Sequence, residues 1–429
     1  MNKIKDFILT ILGISFYRFF YKSFIYNSVE DISSYQFKKL KKLLITSSLN
    51  VPYYKKLFKK INFDPLKDFQ TLSDLKKIPI LEQEIVKNNP SEFINSDFKN
   101  YVLMKTSGTS GIPFSARIDI NHWIVEQAVV WRQWKSFGYH FRDKMGIIRS
   151  YSPKDNESLI KVDRLRNFIY YSPYHLSEKN CAIFYKDMVN RKIKFLRGYP
   201  SSIKIFSSYC KKNQLKIKTL KGILLASETL LASDKKYIKS CFDVPVINHY
   251  GLAECIVMIG NISSDNILYN YDDYGYLELI KNNNNDYNMI GTNLNNFAMP
   301  LIRYNTNDIA ILNEVNKESK INFQQLLSIS GRKNEFIITS KEKIPVTNLY
   351  TILSKYEKIS KFQIIQNNIT SLEIFILCDN DQESIIYNRL LKDLQLLKDK
   401  KIHIDIRFSS KFKRVGEGKI PPFIPYERK

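Results

Sequence analysis

Between residues 147 and 254, short apolar runs alternate with polar turns and helical stretches, and this alternation restricts the fold more than any other feature. Ile147-Ile148 leads to a turn. Lys194-Phe195-Leu196 leads to Arg197-Gly198-Tyr199-Pro200-Ser201-Ser202 and a helical stretch over 203–212. Gly222-Ile223-Leu224-Leu225-Ala226 reads as a buried strand before Ser227 and Glu228. Val244-Pro245-Val246-Ile247-Asn248 reads as another, followed by the turn His249-Tyr250-Gly251-Leu252-Ala253-Glu254. Strand, polar turn and helix in repetition predict an α/β fold with a largely parallel sheet. Ligands gather beyond the carboxyl ends of such strands, so each of these turns is expected on the ligand edge.

A second stretch carries chemistry by composition. Thr106-Ser107-Gly108-Thr109-Ser110-Gly111 follows the apolar run Tyr101-Val102-Leu103-Met104 and Lys105. Glycine tolerates φ > 0 and close approach, so several backbone N–H groups and hydroxyls can converge on one anion. Ile112 stands where a P-loop carries its lysine, so this is a different phosphate cradle or a plain Ser/Gly surface turn.

At 429 residues the chain is long enough for two or three domains. Residues 30–61 read helical with a break at Val51-Pro52-Tyr53-Tyr54, and 74–90 as two short helices around Pro79. Residues 121–137 read as a helix holding all three tryptophans, Trp123, Trp131 and Trp134, whose spacing suits a core face. After about 265 the texture is β-rich, with a hairpin turn at 282–285. Three divisions result: an apolar and basic helix over 1–29, a large domain over 30–331, and a small C-terminal domain over 332–429.

The formal net charge is +24, and residues 1–60 hold twelve Lys/Arg against three acidic residues. Such a balance favours anionic partners. No helix-turn-helix, zinc-finger or aromatic RNA-binding pattern accompanies it, so nucleic acid is not expected. Phe7–Ile14 is too short to span a bilayer, and aromatics interleaved with Arg18 and Lys22 follow it. That pattern fits a helix on an anionic membrane surface or one packed on a core. Five cysteines without CxxC pairs fit a reducing, cytoplasmic compartment. Cys241, His249 and Cys255 lie near one another in sequence, but their spacing matches no common zinc pattern.

Thr106–Gly111, Tyr250-Gly251-Leu252-Ala253-Glu254, Arg303-Tyr304-Asn305-Thr306-Asn307-Asp308, Gly331-Arg332 and Gly418-Lys419 occur in that order. This series resembles the adenylate-forming superfamily of acyl-CoA synthetases, peptide-synthetase adenylation domains and luciferases. With Gly198-Tyr199-Pro200-Ser201-Ser202, Pro300–Tyr304 and Glu417-Gly418-Lys419, it is similar to the phenylacetate–CoA ligase branch and its CapK-type proteins of capsular polysaccharide biosynthesis. The resemblance implies a large α/β domain with mostly parallel sheets and a smaller, mobile α+β C-terminal domain. It also implies roles. Thr106, Ser107, Gly108, Thr109, Ser110 and Gly111 would hold ATP phosphates, and Tyr250 with Gly251 would face adenine. Ser227 and Glu228 belong to the same nucleotide site. Asp308 would accept the ribose hydroxyls, and Arg332 would add a ribose or phosphate contact. Glu254 would bind Mg²⁺, and Lys419 would reach the acid and the α-phosphate. Trp131, Tyr199, Pro200, Ser201 and His249 are candidates for the acid pocket.

Asn305 and Asn307 stand where the resemblance has Arg and Gly, and Asn334 stands near the expected hinge. The reading is an ATP- and Mg²⁺-dependent ligase that makes an acyl- or aminoacyl-adenylate from a small carboxylic acid. It would pass the acyl group to coenzyme A, an amino sugar or a carrier protein. The alternative is a non-catalytic ATP-binding subunit that keeps the fold.

Overall fold

A computed structural model describes the chain apart from residues 1–2, 106–114, 155–156, 264–266, 283–285, 313–318, 333–335, 340–342, 355, 357, 360, 379–381, 395–401, 410, 416–419 and 427–429. The described residues form two compact units, each assembled from two separate chain segments. The first comprises 1–140 and 248–329, the second 141–247 and 330–429.

In the first unit, helix Val29–Asn50 begins where the Ser28 hydroxyl accepts from Asp31 N at 3.1 Å. It buries Ile32, Gln36, Leu40, Leu43, Leu44 and Ser47, the three- and four-residue spacing of one helical face. Val51, ahead of Pro52, is extended, so a new helix starts at Pro52–Lys60. Asp119 caps helix Ile120–Ser136 by accepting from Asn121 N at 2.8 Å. Its buried face includes His122, Val125, Val129 and Arg132. Strands Gly275–Lys281 and Asp286–Asn293 pair antiparallel around the expected turn, and Tyr304–Ile311 adds a third antiparallel strand.

The second unit holds the parallel sheet. Met145–Ile148 lies between Phe168–Tyr171 and Phe195–Gly198, parallel to both, and Gly222–Ala226 extends the sheet in parallel beyond Phe195–Gly198. Every residue of Met145–Ile148 and of Gly222–Ala226 is buried, as expected of strands covered on both faces. Helices Glu178–Asn190, Pro200–Lys212 and Ala232–Phe242 supply the cover through Phe184, Phe206 and Ile238. The fold is α/β, as expected. Residues from Ile337 to Phe423 build a further core of their own around strands Lys361–Asn368 and Ser371–Leu377, with Leu231 packed against it.

One local reading changes. Strand Val246–Gly251 runs through His249, Tyr250 and Gly251, which were expected in the turn. Pairing of these three with Gly260, Ile259 and Met258 holds them extended. The strands bracketing 106–114, Tyr101–Lys105 and Ser115–Asp119, pair only with each other, antiparallel, and stand outside the parallel sheet.

Candidate functional site

Strand Tyr304–Ile311 alternates strictly, with Tyr304, Thr306, Asp308 and Ala310 on its buried face. That period aims two site groups the same way. The Tyr304 hydroxyl donates to Glu254 Oε1 at 2.9 Å, and the Tyr250 hydroxyl donates to Asp308 Oδ2 at 2.5 Å. Thr306 braces the strand between them: its Oγ1 accepts from Asp308 N at 3.1 Å and donates to Met289 O at 2.8 Å. Tyr250 and Glu254, from one motif, and Asp308, from another, are thus brought together with a fourth residue, Tyr304. Burial and then the Asp308 carboxylate hold the Tyr250 pKa well above its ordinary value, so this hydroxyl stays a donor.

The backbone around the group is unusual. Cys255, Arg303 and Asn307 have φ of 51°, 52° and 59°. Non-glycine residues in this region cost on the order of 1 kcal/mol each and persist only where the surroundings fix them. At Arg303 the anchors are clear. The guanidinium donates to both Glu278 oxygens at 2.9 and 3.0 Å and to the carbonyls of Lys76 and Ile78 at 3.2 and 2.5 Å. Asn307 explains its own departure from glycine, because Asn adopts left-handed φ more readily than other side chains. Asn305 donates to Glu82 at 2.9 Å and accepts from Asn307 N at 3.0 Å, so it supports the same kink in the strand.

His249 Nδ1 lies 2.9 Å from Gln133 Oε1. Gly251 ends its strand opposite Met258. Trp131 is a core residue, buried edge-on against Tyr139.

Another group of the expected residues gathers in the second unit. Ser227, just past strand Gly222–Ala226, has φ 73°, a turn that presents Glu228. Glu228 Oε1 accepts from Ser201 Oγ at 3.0 Å and from Ile420 N at 2.9 Å, while Oε2 accepts from Ser201 N at 2.9 Å. Ser201 follows Pro200 at the start of helix Pro200–Lys212, so its free N–H is a natural donor to a carboxylate. Burial raises the Glu228 pKa against the opposing pull of Lys361 and these hydrogen bonds. Tyr199 is fully buried, its hydroxyl 2.9 Å from Ser150 Oγ.

A cavity of about 30 Å³ lies among Pro200, Ser201, Glu228, Lys361 and Ile420. Lys361 is 5% exposed, its Nζ has no hydrogen-bond partner, and it lies 4.9 Å from the Phe412 ring centre. Burial lowers its pKa from 10.5 to about 7, with Glu228 opposing.

Sequence reasoning passed over both Tyr304 and Lys361 as members of these clusters. Tyr304 lay inside a quoted motif, which is a usable signal; Lys361 opens an ordinary strand and offers none. Thr106, Ser107, Gly108, Thr109, Ser110, Gly111, Asn334 and Lys419 lie outside the described residues. Arg332 ends strand Ser328–Arg332.

Among the described residues no three or more His, Cys, Asp or Glu gather around a point. Cys241 donates to Tyr237 O and Cys255 to Ala253 O, in different cores. A single carboxylate at Glu254, with Oε1 fixed by Tyr304, is a donor set suited to Mg²⁺, which keeps waters and takes its remaining ligands from phosphates.

No family model matches the sequence, and no curated protein matches it. Solved structures do share the fold. The complex of 2-hydroxyisobutyryl-CoA ligase with 2-HIB-AMP, in the postadenylation state, aligns with a TM-score of 0.70 at 13% identity, over 93% of this chain and 90% of that one. The complex of the same ligase with R3-HIB-AMP gives 0.69 at 11% identity, with the same coverage. Its complex with 2-HIB-AMP and CoA in the thioesterification state gives 0.58 at 13% identity, over 93% and 91%. At these identities the common property is the fold: the chain is similar in architecture to these CoA ligases over nine-tenths of both chains.

Proposed function

We propose that the chain is an ATP- and Mg²⁺-dependent ligase that converts a small carboxylic acid into its acyl-adenylate and transfers the acyl group to a nucleophile. One observation supports this most: Tyr304–Glu254 and Tyr250–Asp308 unite residues 50 and 58 positions apart on one strand face, in a fold shared with ligases solved with acyl-AMP. In this reading the carboxylate oxygen attacks the α-phosphorus of ATP and the bond to pyrophosphate breaks. Glu254 would hold Mg²⁺, which would supply Lewis-acid neutralisation of phosphate charge, and Lys419 would offset the charge that develops at the α-phosphate. Asp308 accepts the ribose hydroxyls, and Tyr250, fixed through its own hydroxyl, offers its ring to adenine. The loop 106–111 and Arg332 complete the nucleotide contacts. The finer assignment is to phenylacetate–CoA ligase-like, CapK-type proteins working in the cytoplasm on surface polysaccharide. Coenzyme A, an amino sugar or a carrier protein is then the acceptor.

Asn305 and Asn307 maintain the kink in the strand that carries Asp308, so their departures leave the ribose contact of this reading in place. Pyrophosphate release across aryl, fatty, hydroxy and amino acids tests the reading. Acid-dependent release that falls about 100-fold or more in Glu254→Gln and in Lys419→Ala is expected. Silence with every acid, while ATP still binds, would replace this reading with the non-catalytic one.

A further inference from the structure

We infer that the outward face of the N-terminal helical segment docks on an anionic lipid surface, an assignment independent of the ligase reading. The segment Ile4–Tyr26 spans 23 residues and is long and apolar enough to cross a membrane by length and composition. Its packing fixes a different use. Leu9, Tyr21 and Ile25 are buried on the first unit. Gly13 comes so close to helix Ile120–Ser136 that a Cβ there would stand 2.3 Å from Gln127 Cβ. A spanning segment would have to give up all of these contacts, so the helix lies along the protein.

The other side is equally apolar. Ile4, Ile8, Ile11 and Leu12 recur at the spacing of one helical face, and Phe19 and Phe20 continue it at 76% and 67% exposure. A soluble surface seldom presents such a row without a partner. Charge chooses the partner. Lys5, Arg18 and Lys22 are exposed on the same segment, and residues 1–60 hold twelve Lys/Arg against three acidic residues. Acidic headgroups above acyl chains satisfy cations and aromatic side chains at once, which is how in-plane helices bind. A second copy of the chain would bring the same cations against one another across a symmetric contact.

Co-sedimentation of the full chain with vesicles tests this assignment. Phosphatidylcholine vesicles containing phosphatidylserine should bind at low salt roughly tenfold more strongly than phosphatidylcholine alone. The double variants Phe19→Ser/Phe20→Ser and Arg18→Glu/Lys22→Glu should each lose about tenfold in binding, since each removes one of the two attractions. All four side chains are exposed, so both variants should melt as the parent does. Equal binding to both vesicle types, no binding at low salt, or binding unchanged in both variants overturns the assignment. Self-association abolished by Phe19→Ser/Phe20→Ser, without vesicle binding, overturns it in favour of a second copy.

Discussion

Arg132 and Asp273 form a buried ion pair, with Arg132 Nη2 donating to Oδ1 at 2.9 Å and Nη1 to Oδ2. The guanidinium also lies 5.4 and 5.3 Å from the ring centres of Tyr271 and Phe323. Removing one partner strands the other charge out of water. Arg132→Ala should therefore cost about 3–5 kcal/mol in urea denaturation. The double replacement Arg132→Met/Asp273→Leu should cost much less, because no lone charge remains. A single variant as stable as the parent would show that water reaches the site. At this scale the sequence was legible where a motif names its residue. Tyr250, Glu254 and Asp308 were picked out so and lie in one hydrogen-bonded group, whereas Tyr304 was passed over because its partner Glu254 is 50 positions away. Nothing local marked Arg132 and Asp273 as a pair.

Helix Lys3–Phe16 against helix Ile120–Ser136 shows what an element can conceal. Its period was visible, but its docking was not, because the close approach depends on an absent side chain at Gly13. Gly13→Leu should force the two helices apart at a cost of about 1–3 kcal/mol, the usual effect of overpacking. Limited proteolysis should then cut the N-terminal segment faster while the remainder stays intact. Unchanged cleavage would mean that the pair re-packs without loss. Most helices and the buried parallel strands followed from apolar period and punctuation. Strand Val246–Gly251 outran its reading because Tyr250 and Gly251 are held by cross-strand partners, which local polarity does not reveal.

For the whole molecule, sequence order and spatial grouping differ. Residues 337–423 build a core of their own, and 330–429 group with 141–247 in one compact unit. The junctions are side-chain events between distant positions, Glu228 to Ile420 N and Arg414 over Tyr174, so no stretch of sequence announces them. Lys361 belongs to the same contact, faced by Glu228, Arg414, Lys204 and Asp234. Its pKa is about 7 folded against an ordinary 10.5, so between those values the unfolded chain carries a proton that the folded chain lacks. Stability should therefore rise with pH across that window, by at most about 1.4 kcal/mol per unit from this group. Below pH 7 both states are protonated and the full cost of burying the charge is felt. Lys361→Met removes that cost, so it should raise the melting temperature at pH 7 and flatten the rise toward pH 10. Glu228 works in the opposite sense, but in a lower window that opens above its ordinary 4.5, where its raised pKa makes stability fall as pH increases. Calorimetry of the parent and Lys361→Met at several pH values between 7 and 10 reads the contribution of Lys361. A Lys361→Met protein that melts lower at pH 7 and keeps the parent's slope would mean that the amine remains charged and paired in the folded protein.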